Sequence, residues 1–252
     1  MSLQFKRQQL GGWTQVAAHG TGCSLPTVDE MIVRMKLATP TEGLITLSDQ
    51  LNPALFRMAK VGLGSLGVVT ELTLQCIPSH HLRERMYTTT IDKIHQKHKQ
   101  RLRNFRHVRY MWLPHTDSVV VVISNPVDGI GLPSTVLETE LAAAEADVAA
   151  AIKANRSDVS IAGAPTTALV ELYLTLNPDI KRAEVECMSF SQLRDALLDI
   201  SPLDTEHIKR VNRAEAEFWL RSSGERTADS TEILGFDCGG EQWVLEVRTA
   251  ED

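Results

Sequence analysis

Gly62-Leu63-Gly64-Ser65-Leu66-Gly67-Val68-Val69 is the stretch that decides how this 252-residue chain folds. Its first six residues fit G-x-G-x-x-G, the glycine pattern of a dinucleotide-binding turn. That pattern works only between a strand and a following helix, whose N-terminus then holds the pyrophosphate. Here the order is reversed. Upstream, Asn52-Pro53 opens a helix, with Asn as N-cap and Pro at the first helical position. Leu55, Phe56 and Ala59 form its buried face and Gly62 its stop. Downstream, Val68 to Ile77 alternates as a strand, with Leu72, Leu74 and Cys76 on one face and Glu71, Thr73 and Gln75 on the other. A helix followed by a strand sets the Rossmann reading aside. The glycines remain positions where a backbone turns tightly or approaches a ligand or another chain.

Outward from this stretch, Met31–Leu37 and Leu44–Leu47 form a hairpin around Thr41-Glu42-Gly43. Leu10-Gly11-Gly12 leads into a strand-like run, Trp13 to Ala18, which His19-Gly20-Thr21-Gly22 interrupts. Past residue 79 the texture changes. Ile91, Ile94, Leu102, Phe105 and Val108 follow near-helical spacing, opposite Lys93, Lys97, Lys99, Arg101, Arg103 and Arg106. Val108–Leu113 and Ser118–Ser124 flank Pro114-His115-Thr116-Asp117 as a hairpin, and the valines of its second strand mark it as well buried. Asn125 to Gly129 is a loop. Thr135-Val136-Leu137-Glu138 is a capping box for an alanine-rich helix to about Asn155, and Ser189-Phe190-Ser191-Gln192 is another, for a helix carrying Leu193, Leu197 and Leu198. A further helix starts near Asp204 and runs past Trp219 to Gly224. Glu232–Phe236 and Gln242–Val247 read as terminal strands, and residues 156 to 188 carry mixed signals. Strands with glycine turns, then helices and a hairpin, make an α+β chain of two parts with a boundary near residue 79.

Composition narrows the function. Apolar residues are 43% and charged residues 23%, the balance of a globular chain with a real core. The 26 Lys+Arg against 32 Asp+Glu leave a net charge of −6, which argues against a dedicated nucleic-acid binder. No apolar run is long enough to span a membrane, and Met1 to Lys6 has no secretory character. Cysteines at 23, 76, 187 and 238 are too widely spaced for a zinc or redox motif and read as buried free thiols in a reducing compartment. His80-His81 lacks the i, i+4 zinc spacing, so no metal site is expected.

Two features carry possible chemistry. The backbone of His19-Gly20-Thr21-Gly22 could form an anion nest suited to a diphosphate, and spacing alone favours a plain glycine turn. His19 could serve as a base, although no nucleophile or carboxylate stands at an interpretable spacing, and a structural histidine is the better reading. The basic face of 93 to 109 suits phosphate or acidic lipid, yet with only Phe105 and Tyr110 nearby for stacking a solvated helix face is favoured. Trp112, Trp219 and Trp243 read as core.

Four runs add a resemblance: Gln8-Gln9-Leu10-Gly11-Gly12 through Ala18-His19-Gly20-Thr21-Gly22; Gly62 through Cys76; Tyr110 through Pro126; and Glu232-Ile233-Leu234-Gly235-Phe236-Asp237-Cys238-Gly239-Gly240-Glu241-Gln242-Trp243. Asn212 through Trp219 supports them. These resemble the plant-type L-galactono-1,4-lactone dehydrogenases, aldonolactone oxidoreductases of the vanillyl-alcohol-oxidase (VAO/PCMH) flavoprotein superfamily. The resemblance covers most of 4 to 126 and of 188 to 246, and leaves 127 to 187 divergent. It implies that residues 1–79 are the second subdomain of an FAD-binding domain and 80–252 part of an α+β cap domain.

It also implies that Gly11, Gly12, His19, Gly20, Thr21 and Gly22 lie along the flavin diphosphate and ring, and that Gly67, Val68 and Val69 meet the adenine side. The implied reaction oxidises L-galactono-1,4-lactone to ascorbate and passes electrons through FAD to cytochrome c in mitochondria. The family's upstream diphosphate loop, its lactone-binding Glu and Arg, and its terminal His-Trp-x-Lys stretch do not occur in this sequence, so no catalytic residue is expected here. Two expectations follow. In one, other polypeptides complete a split FAD enzyme. In the other, the chain is a non-catalytic accessory or assembly subunit of respiratory complex I.

Overall fold

The computed structural model describes residues 10–22, 24–129, 138–157 and 163–234. The chain forms two compact units, one of residues up to His80 joined by the segment from Asp229, the other starting at His81. Both mix helix and sheet, the α+β class expected from the sequence.

In the first unit a 3-10 turn, Val28–Met31, leads into β1 (Ile32–Thr39). β2 (Gly43–Ser48) runs antiparallel to β1 from Arg34↔Ser48 to Thr39↔Gly43, closing the expected hairpin. Gly43 makes the turn with φ +66°, a left-handed conformation that suits glycine. α2 (Pro53–Lys60) follows, and β3 (Val68–Leu74) pairs antiparallel with the other edge of β1, giving the order β2-β1-β3. Ile32, Met35, Leu37 and Leu47 of the sheet bury against Phe56 and Ala59 of α2. On the opposite face Glu71 accepts from Lys36 (2.7 Å) and Arg34 (3.3 Å), and the Lys36 bond holds its carboxyl below the usual range.

Local readings needed correction in this unit. Asn52 precedes α2 with φ +56° and makes no side-chain cap bond. Pro53 excludes the right-handed helical conformation from the residue before it, and Asn tolerates the left-handed one. Leu55 is only half-buried. The strand-like run from Trp13 to Ala18 is not a strand: Trp13 and Thr14 end a short helix, α1 (Leu10–Thr14), where Thr14 Oγ1 donates to the Gly11 carbonyl (3.1 Å), and residues 15–17 form a turn. β3 ends at Leu74, and Cys76 is exposed rather than on its buried face.

The second unit is built on the sheet β5-β6-β4-β7. β6 (Ser118–Pro126) is buried along both faces from Val119 onward, as its valines require, and pairs antiparallel with β5 (His107–Trp112) and β4 (His81–Thr90). The strand therefore continues through Asn125 and Pro126, which the sequence places in a loop. Asn125 stays buried because its side chain accepts from Arg106 N (2.7 Å) and donates to the Asn104 carbonyl (3.0 Å). α3 (Ile91–Asn104) and α4 (Glu138–Ser157) cover one sheet face, packing Phe105, Ala144 and Val148 on Tyr87, Val121 and Ile123. The capping box proposed at Thr135 lies outside the described residues.

A helical layer follows: α5 (Thr167–Leu176), α6 (Arg182–Glu186), α7 (Phe190–Ile200) and α8 (Thr205–Arg221). Leu169, Val185, Leu193, Leu197 and Val211 form its core. The Ser189–Gln192 capping box is complete, and Asp204 caps α8 by accepting from Glu206 N and His207 N. Asn212 Nδ2 donates to the Pro114 carbonyl (2.8 Å), fastening α8 to the β5–β6 turn. β7 (Gly224–Asp229) completes the sheet.

Other expectations fail for tertiary reasons. Glu232–Phe236 was expected as a strand, whereas Ser230–Leu234 is a helix, α9, in the first unit. Ser230 N donates to the His80 carbonyl (2.8 Å) and Ile233 is buried. A short apolar run cannot itself separate strand from helix. Trp112 is 55% exposed, not core, because β5 is an edge strand. Trp219 is half-buried, and Trp243 and the 242–247 strand lie outside the described residues. Cys187, like Cys76, is exposed, contrary to the buried-thiol reading, and Cys23 and Cys238 lie outside the described residues.

Buried Glu215 of α8 accepts from Trp219 Nε1 (3.0 Å), and desolvation raises its pKa. The folded state thus holds this proton more tightly than the unfolded state. The resulting stabilisation is full below the unfolded pKa and is lost as pH rises through the raised folded value. Glu215→Gln keeps the acceptor for Trp219. It should raise the melting temperature at neutral pH, with the gain shrinking toward zero by about pH 4, as read by thermal unfolding across a pH series.

Candidate functional site

The nine residues singled out from the sequence all fall in the first unit, in two segments. Gly11 and Gly12 lie in α1. His19, Gly20, Thr21 and Gly22 follow in a loop closed by Val28 N donating to the Ala18 carbonyl (2.9 Å), with Leu25 N donating to the Gly22 carbonyl (3.1 Å). Ala17, just before the closure, has φ +51°, an uncommon conformation for a residue with a Cβ. His19 Nδ1 lies 3.1 Å from the Gly20 carbonyl oxygen, a local bond that suits a structural histidine. Gly67, Val68 and Val69 enter β3, where Val68 stands opposite Ala38 and Val69 opposite Leu37. Val68 is 68% exposed.

Gln15 ties the first segment to the end of α2, a role with no signal in the sequence. Its Nε2 donates to the carbonyl of Ala59 (3.1 Å), one of the open acceptors at the end of α2. Its Oε1 would lie 3.4 Å from a Cβ placed on Gly62. The Gly62–Gly67 loop leaves α2 and enters β3, so no helix N-terminus follows it.

The glycines divide into two kinds. Gly64 has φ +75°, and Gly67 has φ +146° with room for no side chain, since a Cβ there would sit 2.3 Å from the Ala38 carbonyl oxygen. The fold itself demands glycine at both. Gly11, Gly12 and Gly20 have no positive φ, and a Cβ on any of them would meet nothing within 4 Å. Those three leave backbone open to close approach by another group. Such a surface fits a flat cofactor or its diphosphate, with backbone N–H groups as the donors. Among the described residues no group of three His, Cys, Asp or Glu side chains could hold a metal ion.

The family model for D-arabinono-1,4-lactone oxidase matches residues 72–143. L-galactono-1,4-lactone dehydrogenase 2, mitochondrial, of Oryza sativa subsp. japonica is 42% identical over 241 residues, covering 96% of this chain. The mitochondrial L-galactono-1,4-lactone dehydrogenase of Arabidopsis thaliana is 42% identical over 247 residues. L-gulonolactone oxidase of Bos taurus is 30% identical over 112 residues, 44% of this chain and 26% of its own. Among solved structures, cholesterol oxidase from Brevibacterium sterolicum aligns over 91% of this chain and 40% of its own at 12% identity, with a TM-score of 0.48. The chain is thus a relative of the aldonolactone oxidoreductases. Within them it is similar along nearly all its length to the plant L-galactono-1,4-lactone dehydrogenases, and it spans 39% of the length of the rice enzyme and 38% of that from Arabidopsis.

The two kinds of glycine predict opposite results. Gly67→Ala should destabilise the chain by roughly 1–3 kcal/mol from backbone strain alone. Gly12→Ala, in a helix with open space, should be neutral or stabilising by up to ~1 kcal/mol. Denaturant unfolding of the two variants checks both signs.

Proposed function

We propose that this chain supplies part of the flavin wall and part of the cap of an FAD-dependent aldonolactone dehydrogenase, with the rest of the fold contributed by sequence outside these 252 residues. The observation that carries the reading is the 42% identity to plant L-galactono-1,4-lactone dehydrogenases across 96% of the chain, which takes in both units. In this reading residues 1–79 belong to a VAO/PCMH-type FAD-binding domain and 80–252 to the cap.

Gly11, Gly12 and the His19–Gly22 loop line the flavin diphosphate and ring through backbone N–H groups, since Gly11, Gly12 and Gly20 have no Cβ to hold the cofactor away. Gly67, Val68 and Val69 present β3 backbone to the adenine side. Bound FAD supplies two-electron chemistry for oxidising the lactone to ascorbate, with cytochrome c as acceptor. The chain's own residues bind and orient the cofactor, and the groups that address the lactone come from the completing sequence. The setting is mitochondrial, as it is in the names of the plant relatives.

One observation favours a second reading, a non-catalytic accessory or assembly subunit of respiratory complex I. Gly64 and Gly67 are accounted for by turn geometry and by the Ala38 contact, so they need no flavin. Purification of the native assembly separates the two. The enzyme reading expects released FAD, a neighbouring polypeptide with the remaining flavin site, and lactone-dependent reduction of cytochrome c. A flavin-free assembly containing respiratory-complex subunits selects the second. The chain expressed alone should be colourless and poorly soluble. A yellow preparation absorbing near ~450 nm would overturn the shared-wall reading.

A further inference from the structure

The second unit holds a cavity of about 490 Å³ between α3 and α4, over the sheet face that carries Tyr87. Its size is that of a small-molecule pocket. Phe105, Ala144, Val148 and Ala151 give it an apolar side, while α3 gives it Lys93, Lys97 and Arg101. The α3 cations were read from the sequence as a solvated face. The structure corrects this for Arg101, which is 5% exposed.

Arg101 is a buried cation without a carboxylate among the described residues. Its Nε donates to Tyr87 Oη (3.1 Å), and its Nη1 reaches the carbonyls of Lys93 and Ile94 only at 3.4 Å. The rings of Tyr87 and Tyr110 stand 6.0 and 5.8 Å from the guanidinium carbon, a weak substitute for an anion. The Tyr110 hydroxyl is a second neutral hydrogen-bond partner of this guanidinium, so its side-chain partners among the described residues are phenols and not anions. Nearby negative charge is already used, since Asp147 takes Lys97 (2.5 Å). Glu145 is engaged with Arg85 (3.0 Å). Lys93, at the rim, makes no ion pair among the described residues. A buried, unpaired guanidinium is costly unless something negative completes it.

We propose that this cavity binds a small organic anion, its phosphate or carboxylate head held by Arg101 and Lys93 and its carbon part lying against Phe105 and Val148. Guanidinium offers planar donors to either head, and the apolar wall favours a ligand larger than a bare ion. The site lies wholly within the second unit and is independent of the flavin reading.

The test is thermal unfolding of the full chain, without flavin or lactone, titrated with phenyl phosphate, benzoate or inorganic phosphate against sodium chloride at matched ionic strength. The expected result is a saturable rise in melting temperature with phenyl phosphate or benzoate, because a ligand that binds only the folded state stabilises it. Whichever probe acts identifies the head group. Arg101→Met should weaken that probe's binding roughly tenfold or more, the scale of a lost charged hydrogen bond. Lys93→Gln, at an exposed position, leaves folding unchanged and should weaken it by roughly two- to fivefold.

No saturable shift from either organic probe overturns the proposal. So does a shift that Lys93→Gln leaves unaltered, whether or not Arg101→Met folds, or one that a folded Arg101→Met retains in full. Inorganic phosphate binding as tightly as phenyl phosphate overturns the contact to the carbon part.

Discussion

Each unit is assembled around a strand that must be paired on both edges. In the second unit that strand is β6, whose run from Val119 to Ile123 is buried on both faces. A strand so apolar is stable only with backbone partners on either side and side chains packed above and below it. β4 and β5 provide the partners, and α3 and α4 cover one face. In the first unit β1 has the same place, between β2 and β3, with α2 against its buried face and the Arg34–Lys36–Glu71 cluster on the other.

Charge is the second organiser of the larger sheet. β4 carries Arg83, Glu84 and Arg85, residues that would ordinarily leave a strand at the solvent edge. They are satisfied across elements instead. Arg85 bonds Glu225 of β7 (2.5 Å) and Glu145 of α4 (3.0 Å), and Arg226 of β7 bonds Glu84 (2.8 Å). Exposed ion pairs contribute little to stability one by one. Their effect here is to select β7 as the neighbour of β4. The same α3–α4 layer that buries Tyr87 and Phe105 also encloses Arg101, so hydrophobic packing buries a guanidinium that has no carboxylate partner among the described residues.

The surface proposed to face the flavin has a different character. It consists of backbone, not of reactive side chains, and its candidate residues matter for what they lack. Gly11, Gly12 and Gly20 leave space, whereas Gly64 and Gly67 serve the turn into β3. Sequence spacing treats all five alike, because a glycine kept for positive φ and one kept for ligand approach are the same letter. Gln15, which ties the end of α1 to the end of α2, is equally silent in the sequence, since a lone glutamine within the short run Trp13 to Ala18 gives no sign of a partner more than forty residues away.

Local rules carried much of the fold. The valine run named β6, the Ser189 capping box named α7, a helix was placed from near Asp204 where α8 begins, and the helix-before-strand order around Gly62–Gly67 excluded a dinucleotide turn. These are properties of contiguous residues: hydrophobic period, capping chemistry and turn preference act within a few positions. The tertiary structure alone decided the rest. β7 has no apolar signature and exists through its partners. α9 follows Ser230 docking on His80, and Arg101 leaves a solvated face for a buried one. Each of these outcomes depends on contacts between residues tens to more than a hundred positions apart or on burial by another element, and no local pattern encodes either.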